Sequence, residues 1–137
     1  MHAAPFNNWN VSYSVITNFE RALRGHTKVK EFKRTRDILF DIHLTNEEEI
    51  KVLLVDEYTL GLAAVHRAMD EFPGIEFIVT GGNWNGYTPQ AKEWGMDHDI
   101  GIFNIEEFLG ALNWTEPKKY HKKDSNGKPM YAYHDAT

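Results

Sequence analysis

The stretch that decides the architecture is Asp37-Ile-Leu-Phe-Asp-Ile-His-Leu44, the turn Thr45-Asn46 with Glu47-Glu48-Glu49, and Ile50-Lys-Val-Leu-Leu-Val55. In an extended chain alternate side chains share a face, so Asp37, Leu39, Asp41 and His43 point one way and Ile38, Phe40, Ile42 and Leu44 the other. The second segment is almost continuously apolar, the pattern of a strand covered on both faces. A short polar turn between them makes the pair a hairpin. Upstream, Val15, Ile16, Phe19, Ala22 and Leu23 recur at helical spacing as far as Gly25, preceded by an irregular lead-in over Pro5 to Asn10. Lys28 to Arg36 alternates only weakly, through Val29 and Phe32, and reads as a short edge strand or a loop.

Downstream, Leu60 to Phe72 has helical spacing and ends at Pro73-Gly74, and Ile75 to Val79 is a third strand. Thr80 to Tyr87 is a loop set by glycines and asparagines. Thr88-Pro89 opens a short helix through Trp94, with a side-chain cap and proline at the first helical position. Gly101 to Ile105 is a fourth strand and Glu106 to Leu112 a last helix. The order α-β-β-α-β-α-β-α predicts an α/β fold: a mixed β-sheet of about four strands flanked by helices, over residues 1–116. Residues 117–137 form a basic tail or small β-ribbon, with Asn126-Gly127 as its hairpin signal.

At 137 residues the chain has room for one ordinary domain. With a mean hydropathy of -0.53 and no apolar run approaching ~18 residues, no membrane span is expected. The Met1-His-Ala-Ala-Pro5 start carries neither the basic nor the apolar segment of an export signal. The absence of cysteine excludes disulfides, thiolate-zinc sites and thiol nucleophiles, and fits a cytoplasmic location. Charge is segregated. Residues 1–36 carry seven Lys/Arg against two Asp/Glu, a net +5; residues 37–116 carry three against sixteen, a net -13; residues 117–137 carry five against two, a net +3. Either this is an ordinary solvated surface, or basic flanks hold a polyanion over an acidic centre.

Asp41 and His43 share a strand face, and Asp56 and Glu57 close the next strand where it emerges toward solvent. Carboxylates converging from neighbouring strands can hold a hard cation such as Mg²⁺, with Lys51 or the Lys28 to Arg36 segment as the nearby positive charge. Taken alone, acids at strand ends are also routine solvated caps. Seven histidines include no pair at helical i, i+4 spacing, so no zinc is expected. Phosphate-loop, dinucleotide and serine-hydrolase motifs are absent. The Thr80-Gly81-Gly82 turn could present backbone N–H groups to a phosphate, and Trp84 and Tyr87 could stack on a base or simply cover the loop.

The segments Asn18-Phe-Glu-Arg-Ala-Leu23, Asp37 to Leu44, Val52 to Tyr58, Phe77-Ile-Val-Thr-Gly-Gly82, Thr88-Pro-Gln-Ala-Lys-Glu93 and Ile102-Phe-Asn-Ile-Glu-Glu-Phe-Leu109 together resemble the Mrr-like branch of the restriction-endonuclease-like, or PD-(D/E)XK, fold. The resemblance covers about two-thirds of the chain, and its most specific passage, Phe77 to Gly82 with Thr88 to Glu93, carries fold rather than catalysis. It implies Mg²⁺-dependent phosphodiester cleavage in a defence, restriction or toxin system. Glu20, Asp41 and Asp56 would hold the metal, and Glu57 and Lys51 would be the remaining catalytic residues. Lys28, Lys30, Lys33, Arg34, Lys118, Lys119, Lys122 and Lys123 would contact nucleic acid, DNA foremost. The family's acid-x-lysine slot reads Val55-Asp56-Glu57 here: valine removes an oxygen ligand, and glutamate puts negative charge where the transition state also develops it. A second reading is therefore a non-catalytic interaction domain, such as an immunity or inhibitor protein whose acidic face meets a basic protein partner. A homodimer is among the assemblies either reading allows.

Overall fold

The structure, a computed structural model, describes residues 7–82 and 84–129; residues 1–6, Asn83 and the expected end of the ribbon at 130–137 lie outside the described residues. The chain runs α1 (Tyr13–Arg24), β1 (Val29–Thr35), β2 (Leu39–Leu44), β3 (Glu49–Val55), β4 (Thr59–Leu60), α2 (Leu62–Glu71), β5 (Phe77–Thr80), β6 (Gly86–Tyr87), α3 (Pro89–Asp97), β7 (Gly101–Asn104) and α4 (Ile105–Ala111), then a 3₁₀ turn at Pro117–Lys119. The main sheet has the order β1-β2-β3-β5-β7. β1, β2 and β3 form an antiparallel meander, and β3, β5 and β7 run parallel. β4 and β6 make a separate parallel pair.

The α/β class, the mixed sheet and the flanking helices are as the sequence predicts; the main sheet has five strands where about four were expected. The extra strand is β1, the segment that weak alternation left open between strand and loop. It is an edge strand, and a register shift between Val29 and Glu31 bends it. The hairpin forms with Leu39 opposite Leu53 and His43 opposite Glu49. β2 starts at Leu39 rather than Asp37, because Arg36 and Asp37 turn the chain with φ of 48° and 69°. β6 lies in the segment read as a loop and β4 overlaps the start of the helix expected from Leu60, since two-residue strands leave no periodicity.

Two helices cover each face. Phe40 of β2, fully buried, meets Phe19 of α1 edge-on at 5.0 Å, and Phe77 of β5 meets Phe108 of α4 at 5.5 Å. Phe40, Val52 and Phe77 are register partners, so α1 and α4 lie on that face. The opposite face carries Leu53, Ile78 and Ile102 in register, with Gly95 of α3 directly on Ile102. α2 joins α3 there through an edge-on contact of His66 and Trp94 at 4.9 Å. Capping fixes the helix starts: Ser12 accepts from the Val15 N–H, Thr88 from the Ala91 N–H, and Asn104 forms a reciprocal box with Glu107. In the tail, Lys123 bridges Pro129 around the Asn126-Gly127 turn. Among the described residues no helix is long and apolar enough to cross a membrane.

Candidate functional site

The parallel strands β3 and β5 deliver Asp56, Glu57 and the Thr80-Gly81-Gly82 turn to one end of the sheet, the end where loops of α/β proteins commonly carry function. The Glu57 N–H donates to the Thr80 hydroxyl at 3.0 Å, which donates in turn to the Glu57 carbonyl at 2.7 Å. The buried Asn85 amide donates to Asp56 Oδ1 at 2.7 Å and to the Gly81 carbonyl, with the Thr80 hydroxyl at 3.3 Å. Gly81 must be glycine: a Cβ there would lie 2.8 Å from Val15 of α1. Gly82, at φ +97°, closes on Asp56. Burial, reinforced by the charge of Asp56, raises the Glu57 carboxyl above its ordinary range, although Arg67 opposes the shift. Replacing Asn85 with alanine strands the acceptors of its amide, so it should lower unfolding free energy by about 1–3 kcal/mol in urea titrations.

The metal ligands that the resemblance implies do not meet. Glu20 projects from α1. Asp41 is one residue on from Phe40, so it faces the other side of the sheet, in a cross-strand row with Lys33 and Lys51. Asp56 is held by Asn85 at the strand end. Among the described residues no group of three or more His, Asp or Glu side chains is arranged to hold a metal ion. The three carboxylates do not fit one Mg²⁺ ion as a set. Glu20 has a different companion. Arg34 reaches it at 3.3 Å and Asp37 at 3.0 Å, while the Asn7 amide donates to the other Asp37 oxygen. Both carboxylates are largely covered, with side-chain exposures of 15%. Sequence reading missed this cluster, although Arg34 and Asp37 flank one tight turn.

The basic residues expected on nucleic acid are mostly paired at home. Lys30 meets Glu47 at 3.2 Å, Lys118 meets Asp99 at 3.3 Å, Lys119 meets Glu116 at 3.1 Å and Lys122 reaches Glu106 at 4.0 Å. Lys33 faces Asp41 across the hairpin. Lys28 and Lys123 make no ion pair among the described residues, and Lys28 lines a crevice with Leu44, Asn46 and Trp114. Lys51 lies between Asp41 and Glu76, whose carboxylate accepts from its N–H at 3.4 Å.

A second ionisable cluster, missed at the sequence level, is sealed inside. Lys92 of α3 is buried; its ammonium donates to the Ile102 carbonyl at 2.7 Å and lies 3.8 Å from the centre of the Phe103 ring. Tyr87 donates to Glu107 Oε2 at 2.9 Å, and Glu107 Oε1 accepts from the Asn104 N–H at 3.2 Å. Burial pushes Lys92 down to about 8 against the pull of Glu107, and raises Glu107 against the Tyr87 hydrogen bond and Lys92. Both shifts favour the neutral forms, so desolvation outweighs the mutual attraction. Its signal in the sequence was a lysine one position after the apolar Ala91 on a capped helix.

No protein-family model matches the chain, and neither does any curated protein or solved structure.

Proposed function

We propose that this chain is a restriction-endonuclease-like domain that works by binding a basic protein partner through its acidic surface, without cutting nucleic acid, as a cytoplasmic immunity or inhibitor protein would. The observation that carries the reading is the Arg34 guanidinium between Glu20 and Asp37. A fixed organic cation is bonded to both carboxylates beside the first helix, where the resemblance calls for a metal ligand. Two further observations support it: Val55 and Glu57 occupy the slots of an acid and a lysine, and five of the eight basic residues expected on nucleic acid carry a carboxylate within 4.0 Å. A surface of paired charges offers a polyanion little net attraction, whereas the -13 segment attracts a basic protein.

A second reading, Mg²⁺-dependent phosphodiester cleavage in a defence, restriction or toxin system, is favoured by the element order. The helix α1, the β2/β3 hairpin and the later alternation of strands and helices follow one another in the order on which the resemblance rests. Plasmid nicking with Mg²⁺ or Mn²⁺, beside labelled-duplex binding across a salt series, separates the two. The expected result is no cleavage, no metal-dependent thermal shift, and weak or absent duplex binding. Cleavage that disappears in Asp41→Ala, or duplex binding that weakens steeply with salt, overturns the binding reading.

A further inference from the structure

Resting on the protein-binding reading, we propose that Trp84, with Asp56, Glu57 and Tyr58 after β3, is the docking surface for an arginine-bearing segment of the partner. Trp84 is 80% exposed and Tyr58 60% exposed. Large aromatic side chains are what interfaces use as anchors, because they bury much area with few rotors. The main chain keeps the two segments together: the Gly86 N–H donates to the Tyr58 carbonyl at 2.8 Å, and β4 pairs with β6 immediately beyond.

The backbone at Trp84 is held in place by its neighbour. Trp84 has φ +69°, a left-handed conformation that a bulky side chain adopts only when its surroundings impose it. The next residue, Asn85, supplies the constraint through its buried amide bonds to Asp56 and Gly81. An exposed tryptophan on an anchored loop loses little freedom on binding. The carboxylates set the sign of the partner. Asp56 is half-exposed and spends one oxygen on Asn85. Glu57 is half-buried, and its carboxylate has no hydrogen bond or ion pair among the described residues. Arg67, the positive charge that opposes the shift of Glu57, donates to the Asn8 carbonyl at 2.6 Å and lies over the Trp9 ring at 3.9 Å. The indole offers a guanidinium of the partner a face to stack on, and Asp56 and Glu57 offer it carboxylate partners. A nucleic-acid strand could use the indole as well, but its phosphates would meet Asp56 and Glu57.

The test is a ¹⁵N-¹H NMR titration of the full chain with an octa-arginine peptide, with an oligo-dT 12-mer in a parallel arm. The expected result is peptide-induced shifts concentrated at residues 56–58 and 80–87. Trp84→Ala should weaken binding about fivefold or more and Glu57→Gln about threefold, while the double variant Glu48→Gln/Glu49→Gln, in a distant exposed acidic turn, stays within about twofold. Each variant's own spectrum reports that it is folded. Shifts centred on residues 47–49, an unaffected Trp84→Ala, no shifts at millimolar peptide, or tighter binding of the oligonucleotide at the same residues each overturn the proposal. Duplex binding or cleavage would instead bring down the reading beneath it, so the two failures are distinguishable.

Discussion

Truncating Phe19 to alanine is expected to lower the free energy of unfolding by about 3–5 kcal/mol, the range for removing a buried aromatic side chain from a packed core. Phe19 is fully buried, lies edge-on to Phe40 at 5.0 Å and contacts Phe108 at 5.9 Å. It therefore touches α4 and the meander together, and its loss opens the α1 layer. The midpoint of urea unfolding should fall with little change in slope, since the surface exposed on unfolding stays nearly the same. A loss below ~1 kcal/mol would mean that α1 collapses into the space, or that its packing contributes less than the ring contacts indicate.

Lys92 should behave oppositely in two variants. Lys92→Ala removes the three buried methylenes beyond Cβ at about 0.8 kcal/mol each, so a loss of about 2.4 kcal/mol is expected. Lys92→Met keeps most of the stem and discards a charge that burial disfavours, so it should be close to neutral or stabilising at pH 7. The pH profile identifies the cause. The folded lysine titrates at about 8 and the unfolded one at 10.5. Between those values the unfolded chain binds more protons, and wild-type stability should rise with pH. Glu107 has the opposite sign: with its folded value raised, the folded chain binds more protons just above 4.5, so stability falls as pH increases there. Urea midpoints measured at pH 7.5 and 10 should rise for the wild type and not for Lys92→Met. Parallel profiles would sink this account.

Periodicity made the sheet and helices legible because burial acts on every second or every third to fourth residue. The β2/β3 hairpin, the spacing of Ile16, Phe19 and Leu23, and the Thr88-Pro89 start all became structure by that route. The site was legible only in its ingredients. Asp41 was read as sharing a pocket with Glu20, yet alternation from Phe40 already puts it on the other face once α1 is known to cover Phe40. Which face a helix covers is a tertiary fact that no window of residues contains. The pairing of Arg34 with Glu20 likewise depends on where α1 crosses β1. Trp84 and Asn85 were visible as a loop, but the anchoring of that loop rests on hydrogen bonds to residues up to 29 positions away.

The register shift near the start of β1 bears on how this protein lives in a crowded solution. A straight outer strand is an invitation for another chain to extend the sheet indefinitely, and here the ribbon kinks at Lys30 and carries Lys30 and Lys33 along its rim. An incoming strand would find a broken hydrogen-bonding template and two ammonium groups to desolvate, so this edge of the sheet is guarded against fibre-like stacking.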